Sequence, residues 1–300
     1  MALDLNISRI ADFYEEFLEN SNHKPGDPPP LASLEFSING SCTRRCHFCP
    51  RVDEKLFKND KRSLDFGLFT KVIDELSADD YQGRISFSGF TEPLMTVKLN
   101  KYIAYARKMR PNMTIEMVTN GDLLTESVMT KLFDAGLNNM RISLYDGPEQ
   151  EAIFRDMANK LGYSDKQVIC RPRYLSAEES FGITITNRAG SISLKEGSVD
   201  ISPLNEPMSK SCYIPFSKML INHDGNALIC QNDFLSKNVI GNVADDTIKE
   251  LLLGERFDDV RKHLLQSSRD VEPCKTCDVH GRYNGEAFFV AWKDYYDCQN

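Results

Sequence analysis

Between residues 34 and 174 two rhythms take turns along the chain. Apolar and polar positions alternate over Leu34–Asn39, Arg84–Gly89, Thr114–Asn120, Asn139–Tyr145 and Gln167–Tyr174, a period of two that predicts five strands. Between these runs apolar residues recur every three or four positions, predicting helices near Asp65–Ser77, Lys98–Arg110, Thr125–Ala135 and Pro148–Leu161. A further amphipathic helix is expected over Ser8–Asn20, closed off by the breaker Lys24-Pro-Gly-Asp-Pro-Pro-Pro30. Repeated strand–helix units imply a parallel sheet wound in one direction, as an open sheet or a barrel.

The two faces of these strands differ. Leu34, Phe36 and Ile38 oppose Glu35, Ser37 and Asn39; Ile85 and Phe87 oppose Arg84, Ser86 and Ser88. Met140, Ile142 and Leu144 oppose Arg141, Ser143 and Tyr145, while Arg171 and Arg173 oppose Val168 and Cys170. The third run is mixed, with Ile115 and Met117 against Glu116, Val118 and Asn120. A parallel sheet covered on both sides is apolar on both faces, and a closed eight-stranded barrel is filled with branched side chains. Half-polar strands therefore imply helices on the apolar face and a lumen on the other, wide enough for polar ligands. The alternative, a solvated face, belongs mainly to antiparallel sheets.

From Phe181 onward the rhythm fails. Ile183–Thr186 reads as a short strand, Asn187–Ser191 as a turn-rich loop, and Met219–Asn222 with Ala227–Cys230 as a hairpin around His223-Asp-Gly225. Helices are expected near Thr247–Leu253 and Phe257–Gln266. The expected organisation is an N-terminal helix and proline-rich linker over residues 1–30, an α/β strand–helix domain with a polar lumen over 31–200, and a small hairpin-plus-helix domain over 201–300.

Composition adds little to this until the cysteines are considered. The chain is 41% hydrophobic and 27% charged, an ordinary globular balance, and its formal charge of −8 argues against nucleic acid or an anionic membrane as partner. The apolar run Ala287–Trp292 is too short to span a bilayer, and the opening MALDLNISRIADFYEE lacks the pattern of a signal peptide, so a cytoplasmic location is expected. Nine cysteines, an odd number grouped at short spacings, point to metal binding rather than a disulfide framework. Cys42, Cys46 and Cys49 form C-x3-C-x2-C directly after the first strand, at the end of the strands where such folds place ligands. Thiolates suit zinc or iron–sulfur clusters, and three of them can hold three corners of a cubane while leaving the fourth iron open. Cys212, Cys230, Cys274 and Cys277 form a second set, C-x12-G-x4-C through Gly225 followed by CxxC. On spacing alone the second set fits zinc as well as iron–sulfur.

The triplet in its place after the first strand, with Phe48 before the last cysteine, resembles the radical S-adenosylmethionine (SAM) superfamily. Gly89-Phe-Thr91-Glu92-Pro93 resembles that family's loop for the SAM amino group, although Phe90 and Thr91 stand where glycines are usual. Thr119-Asn120-Gly121 and Ser143 resemble positions that contact the ribose and methionyl parts. The resemblance implies a partial (β/α)6 TIM-like barrel, a [4Fe–4S] cluster on Cys42, Cys46 and Cys49, SAM on its open iron, and a 5′-deoxyadenosyl radical. The second set, with Gly241-Asn-Val243 and Pro273–Asp278 around it, resembles the SPASM extension in its shortened twitch form. That form implies one auxiliary [4Fe–4S] cluster on Cys212, Cys230, Cys274 and Cys277. The reaction so implied is oxidation of a secondary alcohol of a sugar or cyclitol, with the auxiliary cluster as electron acceptor and flavodoxin or ferredoxin as donor. Epimerisation and peptide modification are the alternatives within the superfamily, and a non-catalytic thiolate–metal protein is the alternative outside it.

Among the remaining residues, Arg171 and Arg173 are candidates for binding the SAM carboxylate or substrate oxygens, unless they pair with Glu35 or Glu116 across the lumen. Tyr145 is a candidate to approach substrate, and Cys298 a candidate free thiol for returning a hydrogen atom. Cys170 shares the apolar parity of its strand and is expected to be a buried structural thiol. His280 is expected to be a bystander and His47 to face solvent.

Overall fold

The computed structural model of the chain describes residues 5–176, 179, 184–196 and 199–299. The N-terminal part runs α1 (Leu5–Asn20), β1 (Ser33–Ser37), β2 (Asn39–Gly40), β3 (Asp60–Ser63), α2 (Phe66–Ala78), β4 (Arg84–Phe87), α3 (Leu99–Met109), β5 (Thr114–Thr119), α4 (Glu126–Asp134), β6 (Asn139–Leu144), α5 (Glu149–Lys160) and β7 (Val168–Pro172). It continues through β8 (Leu194–Glu196), β9 (Val199–Ile201), α6 (Ile214–Ser217), β10 (Lys218–Asn222), β11 (Asn226–Leu228), β12 (Val239–Asn242), α7 (Ile248–Leu253), α8 (Glu255–Leu265) and α9 (Glu286–Asp297). The expected short strand at Ile183–Thr186 begins outside the described residues, and Thr184–Thr186 are not in a strand.

One eight-stranded sheet forms the centre, in the order β12-β11-β10-β1-β4-β5-β6-β7. β1, β4, β5, β6 and β7 are parallel, and β10 joins them as a sixth parallel strand beside β1, with Ser33 opposite Lys218 and Ser37 opposite Asn222. The C-terminal hairpin thus continues the barrel sheet, with β11 and β12 following antiparallel at its edge. This is the α/β partial barrel that the resemblance implied, built on the parallel strands that the alternating pattern predicted.

The apolar faces pack beneath the helices. Phe36, Phe87 and Phe69 of α2 meet with ring centroids 5.1–6.0 Å apart, and Ile85, Ile103, Ile115, Met129, Met140 and Ile142 are inaccessible to solvent. Local chemistry fixes the helix starts. Asp65 accepts from Leu68 N at the head of α2, Thr125 from Val128 N at α4, and Thr247 with Glu250 forms a capping box at α7. α9 was not expected as a helix. Trp292 is fully buried and donates to the Phe216 carbonyl, and Phe288 stacks on Phe17 of α1. α1 and α9 therefore pack on each other. Tyr14 of α1 reaches the polar side of the sheet, where its hydroxyl lies 3.4 Å from Arg84 Nη2.

Candidate active site

The polar faces of the strands line a cavity of about 400 Å³. Its lower wall is a set of paired charges. Glu116 meets Arg84 at 2.9 Å and Arg141 at 2.7 Å, and Glu35 meets Lys218 of β10 at 3.1 Å. The acids considered as partners for Arg171 and Arg173 thus hold other cations. Arg171 and Arg173 line the cavity, and Arg173 Nη1 donates to Thr184 Oγ1 at 2.9 Å.

Above this wall the loop after β1 carries the first three cysteines. Asn39 Nδ2 donates to the Glu92 carbonyl and to Thr96 Oγ1, both at 2.9 Å, and Glu92 N donates to the Ser41 carbonyl at 2.9 Å. These bonds tie the cysteine loop to the loop after β4. Cys42, Cys46 and Cys49 are half-buried and line the cavity together. Burial pushes the Cys42 thiol up and Cys46 up to about 12, with the neighbouring sulfurs adding to both. Arg51, buried and bonded to the Phe90 carbonyl at 2.6 Å, lies near enough to Cys42 and Cys49 for its charge to act on them. Bare thiolates are costly here, so the sulfurs suit a centre that brings positive charge of its own. Among the described residues no three His, Cys, Asp or Glu side chains stand close enough to share one ion. A cubane takes each thiolate on a different iron, and three half-buried sulfurs around one cavity fit that donor set.

Glu92 is 2% exposed. Its Oε1 accepts from Thr119 Oγ1 at 2.7 Å and Leu94 N at 3.1 Å, and its Oε2 from Asn120 N at 2.7 Å. Burial outweighs these bonds and raises its carboxyl to about 7. A carboxylate has about four acceptor positions, so one stays open for a donor in the cavity. The neighbouring Thr91 Oγ1 is buried without a hydrogen-bond partner. Pro93 opens the single helical turn Pro93–Met95 behind Glu92. Gly89 lies at φ +90°, where an added Cβ would press on Leu220 Cδ1 at 3.0 Å and Ser37 Cβ at 3.1 Å.

Asn120, Ser143, Tyr145 and Phe48 line the same cavity. Asn120 Nδ2 bonds Thr43 Oγ1 at 2.8 Å and lies 3.7 Å from Cys42 Sγ. Phe48 and Tyr145 stack at 6.0 Å, and the Arg44 guanidinium lies 5.2 Å above the Tyr145 ring. Arg44 is fixed there by Asp122 and Asp146, each at 2.6 Å. Burial raises the Tyr145 hydroxyl, which keeps it a neutral phenol.

The second set is gathered on the flank of the cavity. Cys212, Cys274 and Cys277 are buried and Cys230 is half-buried. Burial raises Cys212 and Cys277 to about 11 and Cys230 to about 12, and Cys274 feels all three of the others. Gln231 and Asn232 after Cys230, and Val279 and Gly281 after Cys277, line the cavity that the first set also faces. Gly281, at φ +69°, lies so close to Cys212 that a Cβ there would overlap its sulfur.

The two cysteines outside these sets lie away from the cavity. Cys298 caps the end of α9, is exposed, and sits against Gly26 of the N-terminal linker with its Sγ 3.5 Å from where a Cβ there would lie. It is not among the cavity residues. Cys170 belongs to the main apolar core. Sequence reasoning missed Arg51, Arg188, Gln231 and Asn232, which all line the cavity. Nearness to a cysteine, Arg51 to Cys49 and Gln231 and Asn232 to Cys230, was the signal that could have found three of them; Arg188 had none.

Comparisons with known proteins agree with this arrangement. Residues 36–176 match the radical SAM superfamily model, and residues 212–278, spanning all four cysteines of the second set, match the SPASM iron–sulfur cluster-binding domain. The chain is 27% identical over 249 residues to the S-adenosyl-L-methionine-dependent 2-deoxy-scyllo-inosamine dehydrogenase of Niallia circulans, covering 83% of this chain and 93% of that one. A shorter match, 35% over 116 residues, covers 37% of this chain and 22% of the dTDP-4-amino-4,6-dideoxy-D-glucose ammonia-lyase of Streptomyces venezuelae. Among solved structures, BtrN in complex with AdoMet and 2-DOIA superposes with a TM-score of 0.69 at 26% identity, covering 84% of this chain and 94% of that one. No helix among the described residues is long and apolar enough to cross a membrane.

Proposed function

The chain carries a radical SAM domain followed by an iron–sulfur cluster-binding SPASM domain, and from that premise we propose that it oxidises a secondary alcohol of a sugar or cyclitol to the ketone. Bound SAM and its cluster would supply the 5′-deoxyadenosyl radical that takes the carbinol hydrogen atom; the auxiliary cluster would take the remaining electron, and the hydroxyl proton would pass to water. Cys42, Cys46 and Cys49 would hold the first cluster, and Cys212, Cys230, Cys274 and Cys277 the second. Glu92 would receive the SAM amino group on its open acceptor position, with Gly89, Thr91, Pro93, Asn120, Ser143 and Phe48 shaping the rest of that site. Tyr145, Arg171 and Arg173 would present one phenol and two forked cations to the substrate's oxygens.

The observation that carries this reading is one polar cavity bordered by the surroundings of both cysteine sets. A dehydrogenation needs both, because hydrogen-atom removal leaves one electron that must go to a second acceptor. Epimerisation by return of hydrogen from Cys298 loses its basis with that thiol outside the cavity. We assign the enzyme to the cytoplasm and reduction of the first cluster to a flavodoxin or ferredoxin.

The test uses anaerobically reconstituted protein, the Cys42/Cys46/Cys49→Ala triple variant and Cys274→Ala. Iron, sulfide and zinc, 5′-deoxyadenosine and ketone are measured over a panel of cyclitols and sugars that includes 2-deoxy-scyllo-inosamine. Two cubanes give about eight irons in the parent and about four in the triple variant, which should no longer cleave SAM. Cys274→Ala should still cleave SAM yet yield no ketone. Equal ketone from Cys274→Ala would defeat the reading.

A further inference from the structure

Arg269 lies between the two segments that bring the second cysteine set together. It is 1% exposed. Its Nε donates to the Lys210 carbonyl at 2.9 Å and its Nη2 to the Ser211 carbonyl at 3.3 Å, directly before Cys212. Its Nη1 donates to the Val279 carbonyl at 2.6 Å and its Nη2 also to the His280 carbonyl at 2.9 Å, two and three residues after Cys277. Four of the five guanidinium N–H donors thus span from one cysteine segment to the other. Only arginine has a fork of this shape; lysine offers a single point of attachment.

The charge matters as much as the bonds. All four acceptors are neutral, and among the described residues Arg269 forms no ion pair. Asp278 is close enough for the Arg269 charge to act on it but makes its hydrogen bonds elsewhere, with both oxygens accepting from Asn187 N at 2.9 and 3.0 Å. A buried cation needs a compensating negative charge. Arg269 is close enough to Cys212, Cys274 and Cys277 for its charge to act on each of them. The thiolate set, with Asp278 beyond it, is therefore the negative charge that faces Arg269.

We propose that Arg269 is the positioning residue of the auxiliary centre and sets its reduction potential, holding a fixed positive charge beside a four-thiolate cluster that becomes more negative when it accepts an electron. The proposal rests on the reading of that site as an iron–sulfur centre. Net charge and nearby dipoles are among the main determinants of cluster potential, so a buried cation at this place makes the cluster easier to reduce. It would help the centre take the electron left after hydrogen abstraction.

The experiment is a redox titration of the auxiliary cluster by electron paramagnetic resonance, in the full-length Cys42/Cys46/Cys49→Ala background so that one cluster is observed. Iron content of the parent and of this background is measured first. About one zinc in place of iron there, the metal a four-thiolate site also accepts, would overturn the auxiliary-cluster reading before Arg269 is touched. With the cluster present, Arg269→Gln removes the charge while Arg269→Lys keeps it and breaks the fork. At the solution potential where the background cluster is half reduced, the Gln variant should show its reduced-to-oxidised ratio lowered about tenfold or more, as expected for a cation lost from a poorly solvated site. The Lys variant should stay within about threefold of the background, since it keeps the unit charge. Should Gln fail to load iron, a Lys variant that loads and titrates like the background still supports the proposal. An unchanged ratio in Arg269→Gln overturns it, and so does loss of iron from both variants, which would make Arg269 a structural clamp only.

Discussion

Glu92→Gln tests the best-defined acid in the cavity, because its geometry allows the consequences to be worked out on both sides. In the parent, Oε1 accepts from Leu94 N and Oε2 from Asn120 N, both backbone donors that cannot reverse their role. The Thr119 hydroxyl on Oε1 can turn; the two N–H groups cannot. Whichever position the new amide NH2 takes, it faces a backbone N–H. One buried donor then goes unsatisfied, at a cost of ~1–3 kcal/mol. Against this, the variant is spared the burial of a carboxylate. The parent carboxyl is raised from 4.5 to about 7, so the stability this group contributes is complete below about pH 4.5 and is lost as pH rises through 7. From pH 6 to pH 8.5 the remaining loss comes to ~1.4 kcal/mol, because until pH passes 7 the folded chain holds a proton that the unfolded chain has already lost. Glu92→Gln should therefore be less stable than the parent at pH 6, and the gap should narrow by about that amount at pH 8.5, in urea unfolding under anaerobic conditions.

SAM binding runs the opposite way. An amino N–H donating to the open acceptor position favours the ionised carboxylate, so SAM affinity of the parent should rise from pH 6 to pH 8.5 as Glu92 loses its proton. The variant lacks that charge-assisted bond, worth ~1.5–3 kcal/mol, and should bind about ten- to a hundredfold more weakly at pH 8.5. Its affinity should also be flat with respect to this group. Equilibrium dialysis of labelled SAM against reconstituted protein at the two pH values measures both. Equal affinity of parent and variant at pH 8.5 would falsify the assignment of Glu92 to the SAM amino group, and an unchanged stability gap between the two pH values would refute its description as a buried, raised carboxyl.

Two further expectations follow from individual contacts. Gly281→Ala adds a Cβ onto the Cys212 sulfur at a positive φ, so iron per chain should fall by about half while SAM cleavage persists; full iron loading in that variant would show that the second set tolerates a shifted Cys212. Cys298→Ser should leave iron content, SAM cleavage and product unchanged, because the thiol is exposed beside Gly26. A loss of product with intact SAM cleavage would return Cys298 to the chemistry.

The sequence shows the strands and the first site more clearly than it shows how the ends of the chain are used. Alternation marks the parallel strands β1, β4, β5, β6 and β7 because each is half polar, and that polarity is the cavity wall: Glu35, Arg84, Ser86, Arg141, Ser143 and Arg171 all line it. The partners of those charges were not legible. Lys218 meets Glu35 only because β10 docks beside β1 across 183 positions of sequence, a pairing that no local pattern encodes. α9 was hidden for a related reason. Its sequence reads as an apolar run, and its helical face becomes evident only once Phe288 and Trp292 are seen to pack on α1 and α6. Cys298 could not be placed without α9. Arg269 belongs to no spacing motif, since its partners are main-chain carbonyls from two distant segments.

The docking of β10 against β1 also gives the proposed reaction its geometry. The first cysteine set follows the carboxyl end of β1, whereas Cys212 precedes α6 and the amino end of β10. Because β1 and β10 are parallel and in register over five residues, these two points are separated by about 16 Å of strand, at ~3.3 Å per residue. Lys218, at the amino end of β10, is near enough to Cys212 and Cys230 to act on both, and its partner Glu35 faces the cavity. A substrate between the two sets would offer its C–H bond toward Glu92 and the triplet, and its remaining electron toward the flank that Arg269 makes positive. Hydrogen-atom removal and electron acceptance would then be assigned to opposite ends of one strand pair.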